Sequence, residues 1–237
     1  MKLTVMGRSG EYQPGVNALD AFKDLAPDAR KNAIAARHNG KLVELMAPLH
    51  EEGTLEPLGF EDEEARHLLR HTASHVLASA VKNLFPKAKL AIGPSIENGF
   101  YYDFDVEEPF QPEDLARIEK EMARIIKKNE REERFTLPRA EAIALMQQRD
   151  EPYKVELILD LPEDEALSFY RQGEFIDLCA GPHLPSTGKI KAFKLTSLAG
   201  AYWRGSEKNK MLQRVYGTAF TDKADLEAHL ARIEEAK

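Results

Sequence analysis

The chain has 237 residues, 43% of them hydrophobic, and 33 basic against 40 acidic groups give a net charge of −7. That length allows one large domain or two modest ones with a real core, and the acidic balance argues against simple basic-surface binding of nucleic acid. A single cysteine excludes internal disulfides and fits a reducing cytosol; no apolar run approaches the ~18 residues of a membrane span, and the N-terminus lacks a signal-peptide pattern.

Lys2–Met6 alternates apolar and polar residues and predicts a strand, with Arg8-Ser9-Gly10 as the following turn. Ala18–Leu25 reads as a short helix and Ala33–Arg37 as a second helical stretch. Asn39-Gly40 is a strong turn signal before a strand at Lys41–Leu45, and Glu51-Glu52-Gly53 is another turn before Leu55–Leu58. Short strands around one helix in residues 1–60 fit a ubiquitin-like β-grasp.

The acidic run Phe60–Glu64 marks a boundary and suits a helix N-terminus, where the helix dipole favours anions. The helix should run to Leu84 and stop before Pro86, with Leu68, Leu69, Val76, Leu77, Ala80, Val81 and Leu84 as its apolar stripe. Strands are expected at Lys89–Ile92 and Phe100–Val106, around a Gly93-Pro94…Asn98-Gly99 loop that is either a plain turn or one admitting a ligand closely. Pro112–Asn129 is a clear amphipathic helix, and Arg139–Gln148 is another. Phe175–Cys179 alternates, so Asp177 and Cys179 share one face. Strands at Ala192–Trp203 and Met211–Phe220 precede a charged helix over residues 222–237. The pattern is α+β: antiparallel strands with helices packed on one side.

Two short motifs carry the chemistry. His71 and His75, in His71-Thr72-Ala73-Ser74-His75, stand one turn apart on the same helix face. Cys179 and His183 bracket Gly181-Pro182, which break regular structure and can wrap a thiol and an imidazole around one point. Each pair alone is commonplace. Together they supply a Cys-His₃ set: three ligands plus water make a catalytic zinc, four a closed structural one, and without metal the same groups can act as base, proton relay and clamp. A zinc peptidase is disfavoured, because Thr72 stands where that motif needs Glu. Lys154 is either a surface lysine or a cationic donor to an ester oxygen.

Charge is unevenly spread. Residues 186–214 hold Lys189, Lys191, Lys194, Arg204, Lys208, Lys210 and Arg214 against Glu207 alone, with Tyr202 and Trp203 among them. This is either a solvated β-hairpin or a backbone-plus-stacking contact with single-stranded RNA.

HTASH, AIGPSIENGFYYDFD, EPYKVELI, FIDLCAGPH, LAGAYWRG and KMLQRVYGTAF, in that order, resemble the N-terminal half of bacterial threonyl-tRNA synthetases over about residues 60–237. Residues 1–60 resemble, less tightly, the TGS domain of that family. The resemblance implies a TGS-like β-grasp domain at 1–60, an editing domain at 61–221, and at 222–237 the start of a linker helix to an absent class II catalytic domain. It implies post-transfer editing: hydrolysis of serine from mischarged threonine tRNA, with no ATP use or threonine activation by this chain. The site would comprise His71, His75, Lys154, Asp177, Cys179 and His183. His71 would polarise the attacking water; His75, Lys154 and His183 would bind substrate, stabilise the oxyanion or relay protons; Asp177 and Cys179 would hold and tune the site. No cofactor is required on this reading, and zinc on His71, His75, Cys179 and His183 stays open. The basic segment from Lys189 to Arg214 becomes an RNA contact. The chain is expected to be a monomeric N-terminal fragment, a freestanding editing factor being the alternative. Two competing functions are a non-catalytic tRNA-binding module with a structural zinc, and a docking role for the N-terminal unit.

Overall fold

The computed structural model describes residues 1–237. The chain divides into two compact units, Met1–Leu69 with Pro182–Pro185, and Arg70–Gly181 with Ser186–Lys237.

The first unit opens with β1 (Lys2–Val5) and β2 (Arg8–Glu11), then α1 (Ala18–Leu25), α2 (Pro27–Arg30), β3 (Ala35–His38), β4 (Lys41–Val43) and β5 (Gly53–Leu58). The sheet order is β2-β1-β5-β3-β4, with β1 and β5 parallel and the other pairs antiparallel. Asn17 caps α1 by accepting from the Asp20 N–H, and Ala18, Ala21, Phe22 and Leu25 of that helix are buried. They pack in one core with Leu3, Val5, Leu45 and Leu55.

Two expectations fail here. The first turn falls at Met6-Gly7, both at positive φ, rather than at Arg8-Ser9-Gly10, which belong to β2; a two-residue hairpin needs left-handed residues at its centre. Ala33–Arg37 is not helical. Its alanines have helical propensity, but pairing with β4 on one side and β5 on the other turns Ala35–His38 into a central strand. Asn39-Gly40 does form the expected tight turn, both residues at positive φ.

The remaining elements are α3 (Glu63–Leu84), β6 (Lys89–Leu90), β7 (Ser95–Ile96), β8 (Gly99–Asp105), α4 (Pro112–Lys128), β9 (Glu132–Leu137), α5 (Arg139–Gln148), α6 (Pro152–Asp160), β10 (Leu167–Gln172), β11 (Phe175–Leu178), β12 (Ala192–Tyr202), β13 (Met211–Phe220) and α7 (Lys223–Glu235). One antiparallel sheet runs β12-β13-β8-β6, with β7 also paired to β8. A second runs β11-β10-β9. Helices α5 and α6 supply Ala142, Met146 and Ile158 to a core shared with Leu167, Phe169 and Ile176 of that second sheet. Strands β9 and β10 and helix α6 have no counterpart among the sequence expectations.

Helix α3 exceeds its predicted stripe. Besides Leu68, Leu69, Val76, Leu77, Ala80 and Val81, it buries Thr72, Ala73, Ser74, His75 and Ala78, the pattern of a helix enclosed on most sides. Helix α4 starts at a capping box formed by Gln111 and Asp114 and ends at Asn129, which is left-handed. Helix α7 is capped by Asp222, buries Leu226, and sets the His229 ring 5.3 Å from Phe220 at the end of β13. No helix is long and apolar enough to cross a membrane.

Candidate active site

Four elements converge on one buried carboxylate. Asp177, on β11, is 1% exposed. Its Oδ2 accepts from the Tyr102 hydroxyl of β8 at 2.7 Å and lies 3.4 Å from Nδ1 of His75 on α3. Its Oδ1 lies 2.9 Å from Nζ of Lys154 on α6. Lys154 is therefore not the surface residue its long cationic side chain suggests: it is 3% exposed, and its ammonium stands 5.4 Å from the Tyr102 ring centre. A buried ammonium must be paired, and the carboxylate meets that need.

The spacing of the histidines along α3 stacks their rings edge to face, centroids 4.9 Å apart. The Ser74 hydroxyl lies 2.7 Å from the carbonyls of both His71 and Gly93, which ties α3 to the loop before β7. Gly93 is required there, because a Cβ would collide with the Tyr102 ring.

Just past β11, the Cys179 N–H donates to the Ser168 carbonyl at 3.1 Å and the Ser168 hydroxyl to the Cys179 carbonyl at 2.6 Å. The thiol then sits 3.4 Å from Nε2 of His71 and accepts the Gly181 N–H at 3.2 Å. Gly181 is left-handed, and a Cβ there would run into the Tyr170 hydroxyl. His183, four residues beyond Cys179 in sequence, is fully buried.

Burial sets the electrostatics. It pulls the His71 imidazole down to about 4, against the pull of Asp177 and with help from Lys154. Burial holds His75 well below the ordinary histidine range, helped by the charge His71 would carry if protonated and by Lys154. The Cys179 thiol is pushed up to about 12, again chiefly by burial. At neutral pH the site holds two uncharged imidazoles and a protonated thiol beside one ion pair. Neutral imidazoles can accept a proton from water.

The donor set suits zinc in kind, since thiolate and imidazole are its preferred ligands. A bound tetrahedral ion would hold its donors roughly 3.3–3.8 Å apart, which the 3.4 Å between Cys179 Sγ and His71 Nε2 already matches. His71, His75 and Cys179 could thus hold a metal, with loss of the Cys179 proton.

The basic hairpin is different from its expectation. Trp203 is 6% exposed, packs with Ala91 and Leu212, and donates its indole N–H to Glu156 at 3.1 Å, so it offers no face for stacking. Arg214 makes a two-point contact with Asp103, at 2.8 and 3.0 Å, and lies 3.8 Å over the Tyr101 ring. Lys210 pairs with Asp105, Lys194 with Glu119, and Arg204 with Glu156 and Asp160. Much of the positive charge is thus neutralised by carboxylates that the local sequence does not show. Tyr202, Lys191 and Lys208 are exposed, and Lys189 lies in a short turn before β12.

Sequence reasoning did not single out Tyr102 or Glu151. Tyr102 could have been found from the inward-facing alternation Phe100, Tyr102, Phe104. Glu151, which binds Lys82 and the Leu90 N–H, had no such signal.

Residues 167–216, which include Asp177, Cys179 and His183 but not His71, His75, Tyr102 or Lys154, match a known family, the threonyl and alanyl tRNA synthetase second additional domain. The chain therefore contains the editing-associated module of that class of synthetases. Over its whole length it is 59% identical to the threonine–tRNA ligase of Acetivibrio thermocellus and 57% identical to that of Clostridium botulinum (strain Kyoto / Type A2), covering 38% of each. It is 61% identical to the threonine–tRNA ligase of Clostridium tetani over 98% of the chain, covering 36% of that protein. The chain corresponds to the N-terminal, editing-domain region of bacterial threonyl-tRNA synthetases, and it spans little more than a third of the length of these curated relatives.

Proposed function

We propose that the chain hydrolyses the ester linking serine to threonine tRNA, as the editing part of a threonyl-tRNA synthetase. The observation that carries this reading is the gathering of His71, His75 and Cys179 beside the Lys154–Asp177 pair. His71 is less buried than His75 and is neutral at pH 7; it takes a proton from the attacking water. Lys154, held by Asp177, supplies positive charge toward the ester oxygen as it becomes anionic. His75 and His183 position the ester and pass the proton on, and Cys179 fixes the His71 ring. Bound zinc would add Lewis-acid activation of the water. The task suits a second site: one methyl gives a synthetic site only ~1–3 kcal/mol of discrimination, whereas a pocket sized for serine rejects the larger threonine.

The sheet order β2-β1-β5-β3-β4, its parallel β1–β5 pair and the helix after β2 support a TGS-like β-grasp at residues 1–60. The editing module would span 61–221, and 222–237 would lead toward a class II catalytic domain in the whole enzyme.

The test is deacylation of seryl- and threonyl-charged threonine tRNA by this chain, with His71→Ala and a chelator control. Loss of serine alone, abolished by His71→Ala, supports the proposal. Survival in chelator makes the site metal-independent, and loss in chelator assigns it a zinc. No hydrolysis by a folded chain that binds tRNA overturns the proposal in favour of an RNA-binding module whose Cys-His₃ set is structural.

A further inference from the structure

A second buried carboxylate ties together the elements that meet at Asp177. Glu151 is 4% exposed and stands at the N-cap position of α6. An N-cap side chain ordinarily accepts from the first-turn N–H groups of its own helix. Glu151 makes no such bond. Its Oε2 accepts the Leu90 N–H of β6 at 2.9 Å, and its Oε1 accepts from Nζ of Lys82 on α3 at 3.0 Å.

Each of these contacts leads to a group at Asp177. Lys82 lies on the helix that carries His75. Leu90 pairs with Phe104 of β8, the strand that carries Tyr102. Lys154 follows Glu151 in the first turn of α6. The Glu151 carboxylate thus joins α3, β6 and α6, which carry or brace the three partners of Asp177. Lys82 also donates to the carbonyls of Pro86 at 3.2 Å and Ala88 at 2.8 Å, so the same ammonium clasps the chain between α3 and β6.

Neither helix capping nor stability accounts for this arrangement. A short side chain such as Ser or Asp caps a helix locally, and a buried ion pair gains little over apolar packing once desolvation is counted. What the pair supplies is orientation. The Glu151 N–H donates to the Met146 carbonyl at 2.9 Å, and Asp150 before it is left-handed, so the turn from α5 to α6 fixes where the carboxylate starts.

We infer that Glu151 is a positioning residue for the hydrolytic site: it sets the start of α6 against α3 and β6, so that the Lys154 ammonium meets Asp177 beside the α3 histidines. Its part in hydrolysis rests on the editing reading above. Glu151 acts through Lys154 rather than on the ester. Misplacing a reacting group by about 1 Å can cost roughly 100-fold in rate, so the tie matters even though it lies outside the cluster.

The experiment compares Glu151→Gln with the parent in the 237-residue chain. Gln keeps the size and an acceptor for the Leu90 N–H but loses the charge that holds Lys82. The first readout is acetylation of Lys154 by acetic anhydride, followed by mass spectrometry with exposed Lys208 as internal reference. The second is hydrolysis of seryl-charged threonine tRNA. Leu226→Ala, which loosens α7 instead, controls for general destabilisation. Lys154 should be acetylated several-fold faster in Glu151→Gln, and kcat per folded molecule should fall about 10–100-fold at little-changed KM. Leu226→Ala should leave both unchanged. Lys82→Met removes the other member of the pair and should act in the same direction, which keeps the test open if Glu151→Gln folds poorly. An unchanged Lys154 rate in both variants overturns the inference, as does an equal rise in Leu226→Ala. So does a loss confined to KM. Acetylation is read without an ester, so faster acetylation of Lys154 in the variants of a chain that hydrolyses nothing overturns the editing reading alone.

Discussion

Lys154 and Asp177 form an ion pair with almost no solvent: Nζ lies 2.9 Å from Oδ1, with side chains 4% and 1% exposed. Removing one member leaves the other charged and buried. Asp177→Asn should cost about 3–5 kcal/mol, read as a fall in the urea midpoint at unchanged slope. Replacing both residues with apolar ones of similar size should cost less than the two single changes summed. A loss under about 1 kcal/mol for Asp177→Asn would mean that water reaches the pair.

Acid should weaken the fold through the α3 histidines. The His71 imidazole titrates near 6.5 when unfolded and about 4 when folded. The unfolded chain therefore binds more protons between those values, so stability falls as pH drops from 6.5 and this contribution levels off below 4. By pH 5 the loss from His71 is on the order of 1–2 kcal/mol. Urea midpoints at pH 7.5 and pH 5 check this: the difference should shrink in His71→Gln, and an equal difference in the variant would contradict it.

Cys179 should be slow to alkylate near neutral pH, because burial pushes its thiol up to about 12. Gly181→Ala should make it several-fold faster. The left-handed backbone costs an alanine roughly 1–2 kcal/mol, and the new methyl strikes the Tyr170 hydroxyl, so the loop must lift off the thiol. Adding Tyr170→Phe should restore part of the protection. Equal alkylation rates in Gly181→Ala and the parent would show that the loop does not guard the sulfur.

Arg214→Lys should lower stability by about 1–2 kcal/mol and leave tRNA affinity unchanged. The guanidinium grips Asp103 at two points and stacks on Tyr101; an ammonium reproduces the charge but neither the fork nor the plane. Loss of tRNA affinity at equal folded concentration would return this residue to the RNA surface.

Trp203→Ala should be costlier, about 3–5 kcal/mol, since the ring is buried against Tyr153 and Leu212. Thermal melting monitored by circular dichroism reads it. A shift within error would place the indole outside the core.

Helices α1, α4 and α5 and strands β12 and β13 could be read from the chain because local signals suffice: apolar residues at helical spacing, a cap, a long alternating run. Ala33–Arg37 misled because alanine favours helix until two neighbouring strands supply its hydrogen bonds. Strand β9, with Glu132, Glu133 and Arg134, carries no apolar alternation; it is a strand because β10 pairs with it residue for residue. The same division holds at the site. Spacing alone gives the His71–His75 neighbours and the tight Cys179–His183 loop. The burial of Lys154 and the bond from Tyr102 to Asp177 arise only when α6 and β8 reach β11, and the carboxylates facing Arg204, Lys210 and Arg214 come from residues dozens of positions away.

Asp177 receives its three partners from α3, β8 and α6, while β11 supplies the carboxylate itself. None of these segments holds a pair of the partners on its own. A chain emerging from the ribosome gains His75 and Tyr102 early and Asp177 late, so the polar cluster comes into being in one step, after α6 and β11 have been made. Until that moment the chain has the imidazoles and the phenol but not the carboxylate that joins them. The carboxylate centre is thereby a property of the finished fold rather than of any local stretch of sequence.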